Sequence, residues 1–250
     1  MVKHFIVMAS AYSKGKRIAL DYFEEDILQM DVIQKDMDYI LEMCGKDVPI
    51  STHYIQTEQF GWDKVIELDK FFEKAELIET KEKFVEILLK DRILKGIDIA
   101  KYILTKVPCT HLKLEKLVYM CYADYLCDTH SKLFIDKIYA YRLGPVVKSV
   151  YEKYKKSGTD YLEDEDNIIM YDETTKRMPS RSRILSSEDG LKKLISIDKT
   201  IEKYSKYSAM ELVELTHKSE TPWTKSGSGN IAYKEIEDSL IIQYHKYEEV

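Results

Sequence analysis

The chain has 250 residues, 44% hydrophobic and 33% charged, which suffices for one large or two small domains with a sizeable core. The net charge of −6 is unevenly spread, because residues 1–96 hold 14 Lys and Arg against 19 Asp and Glu while the remainder is nearly neutral. An acidic first third argues against a broad duplex-binding surface, so nucleic acid is not expected as a partner. The short apolar run Phe5–Met8 is neither a signal-peptide core nor a membrane span, and no other run approaches the roughly 18 residues a span needs. The expectation is a cytoplasmic protein whose four cysteines are reduced thiols.

In chain order, residues 3–8 are a strand candidate in a region 1–96 that otherwise reads as helical. From Arg17 to Met43, the residues Ile18, Tyr22, Ile27, Met30, Ile33, Met37, Ile40 and Leu41 recur at the spacing of one buried helix face. Gly45 and Pro49 end that segment. A second helix opens at Trp62 with Val65, Leu68, Phe72 and Ala75, and a third covers residues 82–94. Asp98 is expected to cap a helix over residues 98–105. Thr110 caps the next, whose apolar face is Leu114, Leu117, Val118, Cys121, Tyr125 and Leu126.

Ile138–Tyr141 is a short strand candidate, and Pro145 suits the first position of a helix over residues 145–155. Residues 157–185 carry an acidic run, Glu163–Asp166, and a basic one, Lys176, Arg177, Arg181 and Arg183. Either this is a solvated arm with complementary charges, or residues 168–171 and 183–185 form a short β-hairpin. A helix over residues 188–204 follows, then a capping-box helix from Ser208 and Glu211 to His217, a Gly/Ser loop over residues 224–230, and a final helix over residues 231–248. The whole predicts a mainly α fold, with a helical N-terminal region (1–96) and a helical domain (97–250) carrying a short β-hairpin.

Candidate chemistry is sparse. Cys109, His111, Cys121, Cys127 and His130 supply metal-ligand atoms, but Cys121 and Cys127 are about 600° apart on a helix and face different ways. Paired C-x2-C knuckles are absent from the sequence, so no metal is expected. His217 lies where a helix ends, as a cap, a partner contact or a general base, with no recognisable nucleophile elbow or phosphate loop beside it. No cofactor and no enzymatic activity are expected. Arg142 precedes Gly144-Pro145 at a strand end, close to where Tyr141 and Trp223 are expected to converge, and serves either the architecture or a partner. Tyr141, Arg142 and Trp223 are the candidate partner-binding residues, and the nineteen tyrosines suit a half-buried surface.

Three stretches form a rare combination: Lys113-Leu-Glu-Lys-Leu-Val-Tyr119, then Tyr139-Ala-Tyr-Arg-Leu-Gly-Pro-Val-Val147, then Leu215-Thr-His217 with Pro222-Trp223. With Asp98–Leu104 before them and the terminal helix after, they resemble the Panacea-domain antitoxins, also called phage-associated, GepA-like proteins, over residues 97–248. The resemblance implies a small, mainly helical antitoxin that neutralises a co-encoded toxin by direct binding. A cognate toxin protein is then the partner, with a host protease as a second one if the chain acts as an adapter. It brings no catalytic residues, and residues 1–96 match nothing in it. Two other classes stay open: a phage- or mobile-element-encoded interaction protein acting on host machinery, and an enzyme with an unrecognised site.

Overall fold

A computed structural model describes residues 1–162, 180–227 and 233–249. Two compact units divide at Ile93 and Leu94. The described residues are mostly helical, yet they hold two sheets rather than one short hairpin.

The first unit corrects the expectation of a helical N-terminal region. Strands β1 (Val2–Ala11) and β2 (Lys16–Glu24) form an antiparallel hairpin closed by Gly15 at φ 62°. Helix α1 (Met30–Cys44), β3 (Ile50–Thr57), α2 (Trp62–Leu68), a 3-10 turn (Lys70–Phe72), β4 (Ala75–Leu77) and α3 (Lys81–Asp91) follow. The strand order is β3-β1-β2-β4, with β4 parallel to β2. Ile18 and Tyr22 misled the helical reading because residues four apart share a face in a strand as well as in a helix. In the sheet they join Phe5, Val7, Ala9 and Leu20 against Ile40, Phe84 and Leu88. The opposite face packs Ile6, Met8 and Ala19 on Val65 and Phe72. With both faces covered, β1 is apolar almost throughout and lacks the alternation of a half-exposed strand.

One polar row crosses this sheet. His4 is fully buried; its Nδ1 lies 2.9 Å from Asp21 Oδ2 and its Nε2 3.1 Å from Thr57 Oγ1. The Thr57 hydroxyl itself donates to the Gln59 carbonyl at 2.7 Å, so it accepts from His4. Burial pushes the Asp21 carboxyl up, against the pull of His4. The row ties β2, β1 and β3 together where an unpaired polar group would be costly.

The second unit is built around α5 (His111–Thr129). Every residue from Leu114 to Ala123 is buried, so the single apolar face expected from the sequence is in fact a helix enclosed all round. It packs against α4 (Gly96–Leu104), the hairpin of β5 (Ile138–Tyr141) and β6 (Gly144–Val147), α6 (Lys148–Tyr154), α8 (Gly190–Tyr204), α9 (Ala209–His217) and α11 (Asp238–Tyr244). Between α6 and α8, α7 (Ser180–Leu185) lies on α4, with Arg183 3.4 Å from Asp98. Thr110 caps α5, and Ser208 with Glu211 closes a reciprocal box on α9, as their spacing predicts. Asp98 is not the cap of α4; it lies in the first turn and accepts the Lys95 N–H, while Asp136 accepts the Gly96 N–H.

Three further expectations change. Residues 144–147 are a strand: Val146 and Val147 favour it, and β6 is an edge strand, where the N–H that Pro145 lacks is not needed for pairing. The 183–185 segment is helical, and the strand expected at residues 168–171 lies outside the described residues. The last stretch is no continuous helix, because Tyr233 takes φ 72° and β7 (Lys234–Glu235) pairs with β5 before α11 begins. Among the described residues no helix is long and apolar enough to cross a membrane. All four cysteines are free thiols, with Cys44, Cys109 and Cys121 buried.

Enclosure brings several polar groups of α5 to partners inside. Tyr119 donates to Glu248 Oε2 at 2.8 Å, and His245 Nδ1 lies 2.7 Å from the same oxygen. His245 Nε2 lies 2.7 Å from Asp124 Oδ1, and Thr200 donates to Asp124 Oδ2 at 2.7 Å. Burial opposes the charged form of His245, but hydrogen bonds to Asp124 and Glu248 outweigh it and push its pKa up to about 9. Because the folded pKa exceeds the unfolded one, this stabilisation is complete below about pH 6.5 and is lost as pH rises through about 9. A loss on the order of 3 kcal/mol is expected over that window. Urea unfolding followed by Trp223 fluorescence in a Trp62→Phe background reads this unit alone. His245→Gln should flatten the pH dependence, and a wild-type midpoint that does not fall between pH ~6.5 and ~9.5 would refute the assignment.

Candidate functional site

The hairpin β5–β6 turns through Arg142 and Leu143, with Tyr141 paired to Gly144. Gly144 has φ 104°, a conformation an L side chain rarely adopts. Space excludes a side chain there as well: a Cβ would lie 2.7 Å from Thr216 Oγ1 and 3.0 Å from Lys116 Nζ. Three distant parts of the chain therefore meet at one glycine.

Each contact has a local cause. Lys116 is fully buried on α5 and donates to the Pro145 carbonyl at 2.5 Å, which fastens the hairpin to the central helix. Burial pulls the Lys116 pKa down, and the neighbouring Glu115 and Glu248 resist that shift. Glu115 is buried too, and burial pushes its carboxyl up despite the adjacent lysine. Neither Glu115 oxygen makes a hydrogen bond of ordinary geometry, which favours the neutral acid there.

On α9, Thr216 is buried and donates back to Val213 O at 2.8 Å. His217 Nδ1–H donates to Val213 O at 2.7 Å, and its Nε2 lies 3.3 Å from the Arg142 carbonyl. After α9, Thr221 donates to Thr216 O at 2.7 Å and caps the four-residue α10 (Pro222–Lys225), with Pro222 in its first turn. That turn aims Trp223 back at the hairpin. Its Nε1–H donates to the Tyr141 carbonyl at 2.8 Å, and its ring lies on His217 with centroids 3.7 Å apart.

The structure thus brings Tyr141, Arg142 and Trp223 together, largely through backbone carbonyls. Tyr141 is half-buried, its ring edge-on to Tyr151 and Tyr233 at 5.1 and 4.6 Å. Trp223 is half-buried against the core. Arg142 differs: its carbonyl faces His217, but its side chain is exposed and the guanidinium has no partner among the described residues. Leu143 beside it is 39% exposed. His217 acts as an internal spacer that joins α9, the turn and Trp223.

These contacts connect the motifs singled out in the sequence. Residues 114–224 match the family described as Antitoxin SocA-like, Panacea domain. The match runs from the first turn of α5 into α10, and holds the central helix, the hairpin and the Thr216-His217 and Pro222-Trp223 pairs. It is narrower than the 97–248 span of the resemblance and leaves residues 1–113 outside. No curated protein and no solved structure matches the chain.

The potential metal ligands do not assemble. Cys109 and Cys121 are in the core, Cys127 Sγ lies 3.7 Å from the Ile241 carbonyl, His111 Nδ1 is 2.8 Å from Gly158 O, and His130 ends α5 at φ 54°. Among the described residues no group of three or more His, Cys, Asp or Glu is placed to hold a metal ion. Sequence reasoning missed the buried set Glu115, Lys116, His245 and Glu248, with the half-buried Asp124 beside them. Charged residues flanking Leu114 and Leu117 read as the solvated face of an amphipathic helix, and only enclosure of α5 makes them internal.

Gly144→Ala should test the junction. The forced φ and the contacts with Thr216 and Lys116 should together cost about 2 kcal/mol or more of stability, seen as a lowered urea midpoint. An unchanged midpoint would mean that the hairpin is not clamped there.

Proposed function

We propose that this chain is a non-enzymatic antitoxin that neutralises a co-encoded toxin by direct protein contact, with the tip of the β5–β6 hairpin at the contact. The family match over residues 114–224 carries the antitoxin reading. The choice of surface rests on Arg142: an exposed guanidinium with no partner among the described residues, on a turn where Trp223 holds the Tyr141 carbonyl. A cation on a rigid turn needs little backbone ordering on binding, and arginine with flanking aromatics is the usual anchor of an interface. Tyr141 and Trp223 hold the turn in place and present their exposed edges beside it.

Two substitutions separate binding from packing. Arg142→Ala should weaken the toxin complex by roughly 2 kcal/mol while moving folding stability by less than about 0.5 kcal/mol. Trp223→Ala should do both, costing about 2–3 kcal/mol of stability because it removes a half-buried ring and the bond to the Tyr141 carbonyl. Calorimetry with the product of the adjacent reading frame, together with a growth-rescue assay, reads the binding side. Full rescue by folded Arg142→Ala would take the hairpin tip out of the interface. Failure of the wild-type chain to bind any neighbouring gene product would count against the antitoxin role and favour an interaction protein aimed at host machinery.

A further inference from the structure

The outer edge of the first unit's sheet has a composition that sheet edges usually avoid. β3 ends the strand order and pairs only with β1 among the described residues. The pairing runs from Val2 with Thr57 to Ala9 with Ile50 without a slip, so the edge is eight residues long and free of bulges. Its sequence, Ile-Ser-Thr-His-Tyr-Ile-Gln-Thr, contains no proline and no Lys, Arg, Asp or Glu. Edge strands present a row of unpaired N–H and C=O groups, and proteins ordinarily blunt them with charge, proline, a bulge, shortness or a covering element. The opposite edge follows that rule, since β4 has only three residues. β3 does not: Ser51, Thr52, Tyr54 and Gln56 are all exposed.

We propose that β3 is a strand-addition site that takes an extended, lysine- or arginine-rich segment of a partner protein. Main-chain hydrogen bonds along the free edge would supply the affinity, and alternate side chains of the guest strand would lie beside Tyr54 on one face and His53 and Ile55 on the other. Charge selects the occupant. Residues 1–93 hold 13 Lys and Arg against 19 Asp and Glu, and Glu58 at the end of β3 is exposed and makes no ion pair among the described residues. Pairing β3 with a second copy of itself would set two acidic units side by side, whereas a cationic strand gains both the ladder and the field. This surface lies outside residues 114–224 and does not depend on the hairpin contact.

The test uses the full chain and two peptides about as long as β3, one alternating lysine and valine and one alternating glutamate and valine. Hydrogen exchange should slow at alternate amides of residues 50–57 with the lysine peptide. Fluorescence anisotropy should show it binding at least about 10-fold tighter than the glutamate peptide at low salt. Thr52→Lys with Gln56→Lys should abolish most of that preference, while Thr52→Glu with Gln56→Glu should keep it, circular dichroism confirming that both are folded. Should either variant unfold, the two peptides on the wild-type chain still decide. Equal binding of the two peptides, or no protection at residues 50–57, would overturn the proposal. Protection that rises with protein concentration in the absence of peptide would overturn it too, by assigning the edge to a second copy.

Discussion

The burial of α5 on all sides is the constraint on which the second unit depends. A helix of nineteen residues cannot be apolar all round when its sequence includes Glu115, Lys116, Tyr119 and Asp124. Taking such groups out of water costs several kcal/mol per ion unless partners meet them inside. For all but Glu115 the partners come from far along the chain: Pro145 for Lys116, Glu248 for Tyr119, and His245 and Thr200 for Asp124. Folding the central helix therefore requires the hairpin and the C-terminal turn to arrive as well, which makes the packing of this unit a cooperative event.

The same constraint shapes the candidate site. Lys116 holds the hairpin from beneath, and Gly144 lets the backbone approach both Lys116 and Thr216 where any side chain would intrude. Trp223 and His217 then face the carbonyls at the turn. The carbonyls do the fastening, and among the described residues nothing pairs with the exposed Arg142 side chain.

The first unit solves a different problem. Its sheet is covered on both faces by helices and a 3-10 turn, more heavily on the side of α1 and α3, and its one deep polar row is paired internally across three strands. Among the described residues, what is left uncovered is an edge, where the exposed groups belong to the backbone and leave little trace in side-chain composition.

The sequence by itself determined the helices whose signals are local. Thr110 and the Ser208–Glu211 pair act within one turn of their own helix, and the structure places α5 and α9 where those caps predict. The motifs around Tyr141–Val147, Thr216-His217 and Pro222-Trp223 were legible as well, because a glycine before a proline, and a proline before a tryptophan, constrain the backbone wherever they occur. Tertiary structure decided the rest. Ile18 and Tyr22 satisfy strand and helix alike, and only pairing with β1 turned them into a strand. Pro145 suits a helix start, and only its place on a sheet edge made it part of β6. Charge flanking the apolar positions of α5 looks solvent-facing in one dimension. Whether it meets water or a buried partner is set by residues up to 129 positions away, a distance over which no local pattern carries information.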